Sequence, residues 1–593
     1  MKHFVPPWES ARIIRLRSEH PDLAPMSDFV VKTAGYVISA MEVKAMRPAA
    51  VPDFVSAPVG AGKTTGALLG LAKMYEEDNR FRGVMLTPYI DHAEALYRQL
   101  VEKVGMGNVC VWTSKHDHKA DSEFTQRFGK DEVRDYPIAI ICHQAVQNPD
   151  HAGFLGRRDL WVYDEMPENI RPASLTLASF AEAWSWAENT GNVDKIADAR
   201  SAHAWATVVQ DTVSQNYDAI LEMPWVDRIA AWDMLEYKDT HLVNAVVSEV
   251  VHWCKAVQSG MGFVSRKTYG KSRSVTFNGA LCELPDAGKT VILSASAWVS
   301  GYNIAPDKYT REVESLLPVS EYRDLNLVHL DPPKGLPKYY KSFASSRSAK
   351  DKVTKFLKDL IAEIPDDKIF LTCPKAVQPI AEAALAGCGK EVHISHHGIG
   401  TGSNEWRECT AVVYFLDHFI PAEAHVNRKH AIVGDKITDE TLEDAQHYLR
   451  GQYADIKKGH HLASMMQLVG RGCVRVRDDD GKPEPMTAYM VIKRDLFDEM
   501  QSIFPKAQMT YQSAKPTSKR RKAIHKVADW LREHGEADVG ASVLDEVLKT
   551  RTRKWSKELK TDKDGVLAGA GYRYEPRKAG RYGKEAQFVQ LSH

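Results

Sequence analysis

Lys63 sits in the stretch SAPVGAGKTTG (56–66), where three glycines, a lone cation and two threonines separate an apolar run ending at Val55 from the helical pattern beginning at Ala67. Glycines at such a junction let backbone N–H groups approach an anion, and the dipole of the following helix favours negative charge. A lysine here reaches the outer phosphates of a nucleotide, and the next hydroxyl reaches a divalent cation. Gly60, Ala61, Gly62, Lys63, Thr64 and Thr65 are therefore the expected phosphate cradle, with Ala57 standing where the loop formula GxxxxGK[ST] has its first glycine.

Binding a phosphate is not hydrolysis, which also needs a carboxylate for the metal and a group that orients or deprotonates water. LWVYDEMPE (160–168) places Asp164 and Glu165 at the end of an apolar run of buried-strand type, where open α/β sheets put their ligands. Asp164 with Thr64 is the expected Mg²⁺ holder, and Glu165 the expected base. ATP and Mg²⁺ are the implied substrate and cofactor.

These residues must be carried by a repeating frame. GVMLTPYIDHAEALYRQL (83–100) reads as strand, Thr-Pro turn and amphipathic helix; IAIICHQAV (138–146) and KTVILSASA (289–297) read as further strands. Alternation of this kind implies an α/β fold with a parallel sheet covered by helices. Strand-to-helix signals return in DKIFLTCPKAV (367–377) and EVHISHHGIGTGSNEWRECTAVVYF (391–415).

In order and spacing, the loop at 57–64, Thr87-Pro88, Asp164-Glu165-Met166-Pro167, Ser294-Ala295-Ser296 and MMQLVGRGCVR (465–475) resemble the motif series of superfamily 2 helicases of the DEAD/DEAH-like group, over roughly residues 50–500. The resemblance implies two RecA-like P-loop NTPase lobes with ATP between them and a nucleic-acid strand crossing both. It gives Thr87, Pro88 and Thr401 to the strand and Gly402 and Asn404 to the coupling loop beside the nucleotide. It makes Gln467, Arg471 and a further arginine the groups delivered from the second lobe. The pattern QxxGRxxR would put that arginine at 474, which is Val474; Arg475 and Arg477 lie just beyond, and Arg475 is preferred. A guanidinium delivered across a cleft stabilises the charge spread over the γ-phosphate only when the cleft is shut. The motif DEMP in place of DEAD, and a first glutamine only at Gln99, favour a DNA translocase over a DEAD-box RNA chaperone.

The expected organisation is a helical cap (1–48), a first lobe (49–169 with 286–320), a largely helical insertion (170–285), a second lobe (321–505), a basic linker (506–522) and a winged-helix-like domain (523–593). The insertion holds six of the 13 tryptophans, at helical spacing that suits a core better than exposed stacking platforms. In the last domain Arg551, Arg553, Lys554 and Lys557 fall on a third helix and Arg577, Lys578 and Arg581 on a wing, both suited to nucleic acid. From Lys515 onward the chain has 19 Lys+Arg against 11 Asp+Glu, within a net charge of zero, so a basic appendage faces an acidic body.

Eight cysteines without a CxxC pair suggest no disulfide framework or cysteine-ligated metal, and His393, His396 and His397 with Cys388 lack structural-zinc spacing. The start MKHFVPPWES has no apolar targeting core and no segment has membrane-spanning length, so a soluble, cytoplasmic protein without a membrane partner is expected. The function that follows is an ATP-dependent DNA helicase or translocase. An ATP-switched DNA-binding protein and the ATPase of a restriction or packaging motor are the alternatives, with RNA behind DNA. Because no glutamine precedes Gln99, the adenine-reading glutamine that DEAD-box RNA helicases carry upstream of the loop has no counterpart here, so ATP and GTP should be hydrolysed at comparable rates; strict ATP dependence in a nucleotide panel would contradict this.

Overall fold

The computed structural model describes residues 7–590 apart from 116–127, 147–152, 166–169, 233–244, 283–286, 297–298, 300–310, 313–320, 337–342, 399–404, 513–526, 535–538, 543–566, 576–586 and scattered single positions and pairs. Helices α1 (Pro7–Glu19) and α2 (Asp28–Met46) precede β1 (Asp53–Val55), α3 (Lys63–Glu77), β2 (Gly83–Thr87), α4 (Ile90–Val104), β3 (Val109–Trp112), β4 (Ile138–Cys142) and β5 (Leu160–Asp164). β2, β4 and β5 are buried at every position, which is why they read as unbroken apolar runs.

The chain then leaves the sheet through β6 (Ile170–Leu175), α5 (Leu177–Thr190), α6 (Val193–Thr212), β7 (Tyr217–Ala219), α7 (Pro224–Ala230), α8 (Ala245–Gln258), β8 (Gly262–Tyr269) and β9 (Ser272–Cys282). It returns as β10 (Thr290–Leu293) and β11 (Arg311–Glu312). The first sheet is parallel throughout, in the order β11-β1-β10-β5-β2-β4-β3. The insertion has the expected helices, α5 to α8, together with a sheet that the sequence reading did not include. Its helices pack on an antiparallel sheet, β6-β9-β8-β7, whose β8–β9 hairpin pairs Gly262–Tyr269 with Ser272–Gly279. Trp186, Trp225, Trp232 and Trp253 are buried in its core, and Trp184 and Trp205 pack against it.

The second lobe comprises β12 (Leu325–Leu330), α9 (Arg347–Glu363), β13 (Lys368–Cys373), α10 (Gln378–Leu385), β14 (Glu391–His396), β15 (Ala411–Phe415), α11 (Ala422–Val433), α12 (Glu443–Gln446), α13 (Gln452–Val469), β16 (Met486–Val491), α14 (Arg494–Asp498), α15 (Met500–Ile503) and β17 (Gln508–Gln512). Its sheet is also parallel, in the order β14-β13-β15-β16-β12-β17, with apolar clusters on both faces. These are two RecA-like lobes. The stretch read as the start of a linker at 506 supplies the edge strand β17 instead.

Although it emerges from the first lobe, the insertion docks on the second. Tyr217 and Ala219 donate backbone N–H bonds to Gln446 Oε1 (3.0 Å) and Asp439 Oδ1 (2.9 Å), and Ile437 donates to the Gly260 carbonyl (2.7 Å). Tyr217, Phe263, Val426, Ile437, Leu442 and Tyr453 close an apolar cluster beneath these bonds. Near the C-terminus, β18 (Val539–Gly540), β19 (Tyr572–Glu575) and β20 (Gln587–Gln590) form an antiparallel sheet over Val527, Leu531, Leu567 and Phe588. Arg551, Arg553, Lys554, Lys557, Arg577, Lys578 and Arg581 lie outside the described residues. Among the described residues no helix is long and apolar enough to cross a membrane.

The cap is fixed to the elements that flank the glycine loop. Lys44 of α2, fully buried, donates to the Val51 carbonyl (2.7 Å) and pairs with Asp53 of β1 (3.3 Å). α2 crosses α3 so closely that a Cβ on Gly66 would stand 2.8 Å from both the Cα and the carbonyl oxygen of Ala34. Backbone cannot yield as a side chain can, so Gly66→Ala should destabilise the protein by about 1–3 kcal/mol, measured by denaturant titration. An unchanged midpoint would contradict this packing.

Candidate functional site

The turn between β1 and α3 has the backbone its sequence requires. Gly60 (φ 78°) and Gly62 (φ 89°, the N-cap of α3) occupy the left-handed region open to glycine. Ala57 does not, so the missing first glycine costs the loop nothing; its methyl group packs with Phe29 and Ala61. Lys63, buried, donates its ammonium hydrogens to the carbonyls of Ala57 (2.8 Å) and Pro58 (3.0 Å). The Thr64 hydroxyl donates to Asp164 Oδ1 (2.8 Å).

β5 delivers the two acids. Asp164 ends the strand, and Glu165 follows at φ 73°, a left-handed backbone rare for a residue with a side chain, held by its N–H bond to Leu293 (2.8 Å). Burial pushes both carboxyls above their ordinary range, and Lys63 and Arg471 pull them back. Burial pushes the Lys63 ammonium the other way, opposed by Glu165 and Asp164. What opposes burial at each group is its neighbours rather than water.

The second lobe completes the constellation from α13. Gln467 donates from Nε2 to Glu165 Oε2 (2.7 Å) and to Ser296 Oγ (3.3 Å), while Arg471 Nη2 donates to Gln467 Oε1 (3.2 Å). Arg475 lies against the loop: a Cβ on Gly60 would meet the Arg475 carbonyl oxygen at 1.9 Å. Arg477 is bound differently, to the carbonyls of Val59 (3.3 Å) and Gly481 (2.8 Å) and the hydroxyl of Tyr322 (3.1 Å), with its guanidinium over Phe29. Arg477 thus pins the lobes together, leaving Arg471 and Arg475 as the guanidinium pair beside the acids.

All of these meet around one cavity of about 580 Å³, lined by Gly60 to Thr65, Asp164, Glu165, Arg471, Arg475 and Arg477. Several lining groups escaped the sequence reading. Arg407 belongs to the WREC segment after the glycine-rich loop; Pro25, Met26, Ser27 and Val30 come from the cap. His92 approaches Asp164 Oδ2 (3.5 Å) and shares a 2.8 Å hydrogen bond with Thr87 Oγ1. That bond corrects one expectation: Thr87 is fully buried against His92, and Pro88 lines the same cavity, so neither stands out on a strand path. Thr401, Gly402 and Asn404 lie outside the described residues. His397 is a hydrogen-bonded core residue, and His393 pairs with Glu391 at 2.9 Å.

The donor set fits a nucleoside triphosphate with a divalent cation: a loop with two glycines in left-handed backbone, a lysine, two guanidinium groups, and a hydroxyl–carboxylate pair. No protein-family model matches the chain, and no curated protein matches it. Among solved structures, S. tokodaii Xpd4 superposes with a TM-score of 0.46 at 9% identity, covering 82% of this chain and 99% of its own. S. cerevisiae Dbp5 bound to RNA and ADP BeF3 gives 0.35 at 10%, covering 86% and 98%. The Escherichia coli DEAH/RHA helicase HrpB gives 0.32 at 12%, covering 84% of this chain and 46% of its own.

Burial also pushes His92 and His143 down to about 4. Below pH 6.5 the unfolded chain takes up protons that these native imidazoles refuse, so they make stability fall as pH drops from 6.5 towards 4, by about 1.4 kcal/mol per pH unit per histidine. Asp164 and Glu165 act in the opposite sense, so the test is a difference. His143→Gln should flatten the decline in unfolding free energy between pH 7 and pH 5 relative to wild type; equal slopes would contradict the buried neutral imidazole.

Proposed function

We propose that this chain is an ATP-dependent helicase or translocase of superfamily 2, with DNA ahead of RNA as its track. The observation that carries the reading is the shared cavity. The lysine and acid pair come from one lobe and two arginines from the other, so hydrolysis at this site requires closure, and closure is a displacement that can be coupled to a strand. The basic C-terminal segment and the docked insertion supply further surfaces for that strand.

The backbone N–H groups of the glycine loop and the Lys63 ammonium bind the phosphates. Lys63 must exchange the Ala57 and Pro58 carbonyls for phosphate oxygens, which keeps the ammonium satisfied in both states. Thr64 and Asp164 would hold Mg²⁺, which when bound neutralises charge on the phosphate oxygens. Glu165 orients the attacking water and accepts its proton, a task to which a buried carboxyl with raised proton affinity is suited. Gln467 fixes Glu165, and Arg471 and Arg475 stabilise the charge that develops on the transferring group.

An ATP-switched clamp uses the same residues, and the bridge that the insertion makes between the lobes suits it as well. Strand displacement on forked DNA with ATP separates the two: unwinding supports the motor, and ATP-dependent retention without unwinding supports the clamp. For the site itself, Lys63→Ala should lower ATP turnover by about 10²-fold or more. Glu165→Gln should lower it by about 10²- to 10⁴-fold while retaining bound ATP. Wild-type turnover by either variant would overturn the assignment.

A further inference from the structure

At the carboxyl ends of its strands the second lobe carries a file of imidazoles that the nucleotide cavity does not use. His397 heads it as a satisfied core residue: Nδ1 is 3.1 Å from Thr372 Oγ1, Nε2 is 2.9 Å from the Leu416 carbonyl, and the ring stacks on Tyr414. From there the rings continue through His418 (5.7 Å), His460 (6.4 Å), His425 (5.9 Å) and His461 (6.5 Å), each distance measured from the ring before. The later members are not satisfied. His425 is 1% exposed, yet neither ring nitrogen has a hydrogen-bond partner, and Nδ1 of His460, Nδ1 of His461 and Asn427 Oδ1 are likewise buried and unpartnered. A neutral imidazole always presents one N–H and one lone pair, and buried polar groups left bare in such number mark a place that something fills.

The surroundings say what. Arg428 from α11, Lys457 from α13 and Lys493 after β16 are the cations that bear on these rings. Asp417, at the end of β15, faces Lys493, Lys457 and Asp495. Glu423 bears on Tyr217 of the insertion, and Asp435 is taken by Lys429 and His430. A metal ion needs ligands converging on a point. The cations around these rings disfavour one, and among the described residues no three His, Cys, Asp or Glu side chains are placed to hold it.

We propose that the His418–His460–His425–His461 file is an anion site that holds a phosphodiester of the nucleic-acid strand on the second lobe. The proposal rests on the helicase reading and adds to it a pH-dependent grip. His460 and His461 donate N–H to the phosphate beside Lys457 and Arg428, and His425 behind them is a positioning residue. Burial holds His461 at about 4 and His425 at about 3. A bound phosphate favours the protonated ring, so strand binding takes up protons and strengthens as pH falls, approaching about tenfold per pH unit for each proton taken up.

The test uses the full chain without nucleotide, at fixed salt, with labelled single-stranded DNA and RNA at pH 8 and pH 6. Wild type should bind at least about fivefold more tightly at pH 6. His460→Gln with His461→Gln, which keeps amide donors but cannot titrate, should lose that gain, and Lys457→Gln should weaken binding at both pH values. The same gain in wild type and the double variant would overturn the proposal while leaving the helicase reading intact. Inorganic phosphate, read as a thermal shift, identifies the source of the anion. Stabilisation at pH 6 that depends on His460 and His461, without their affecting strand affinity, would make this a free-phosphate site and refute the strand assignment. If wild type binds no strand at either pH, it is the helicase reading that fails; a phosphate shift absent from wild type would then refute the anion site as well.

Discussion

Charge held out of water at the seam between two lobes is the constraint on which the rest of this structure depends. Lys63, Asp164, Glu165 and Arg471 are all pushed by burial towards their neutral forms, and what opposes that push is one another. Part of the opposition comes from a different lobe: the Gln467 amide lies on Glu165, and Arg471 lies on Gln467. Separating the lobes would leave the acid pair with Lys63 alone on one side and Arg471 without its carboxylates on the other. A ligand of strong negative charge enters such a site by replacing those contacts. Occupancy and closure therefore become two aspects of one electrostatic balance.

Two elements outside the lobes reinforce the seam. The N-terminus of α2 donates from Asp28 N–H to Asp479 Oδ1 (2.8 Å) in the turn after Arg477, and Phe29 lies beneath the Arg477 guanidinium. The insertion, tethered through β6 and β9 next to Glu165 and β10, reaches α11 and α12 of the other lobe. The cap and the insertion thus both contact the second lobe, the insertion through its backbone bonds to Gln446 and Asp439.

Much of this was legible in the sequence because the physics is local. A glycine loop between an apolar strand and a helix, and an acid pair at the end of the strand that became β5, declare themselves by types and spacing, since a phosphate cradle tolerates few alternatives. The choice between Arg475 and Arg477 was not legible, because it turns on the Val59 carbonyl and the Tyr322 hydroxyl, which are remote in sequence from both. His92 was missed because its partners, Thr87 and Asp164, meet only once β2 and β5 pair. The insertion's sheet was hidden by its tryptophan-bearing helices. In GFVSRKTY and SRSVTFNGALC the alternation that marks β8 and β9 is interrupted by charged residues of the hairpin tip. Thr87 was given to the strand by resemblance, although its hydroxyl turns inward.

The most direct test of two-lobed catalysis is single-turnover ATP hydrolysis by Arg471→Ala and Arg475→Ala, with nucleotide affinity measured in parallel. If the second lobe supplies transition-state charge, ATP still binds within about tenfold of wild type while the hydrolysis step slows by about 10³-fold or more for at least one variant. Hydrolysis at the wild-type rate in both, with ATP bound normally, would mean that the first lobe acts alone and would contradict the account.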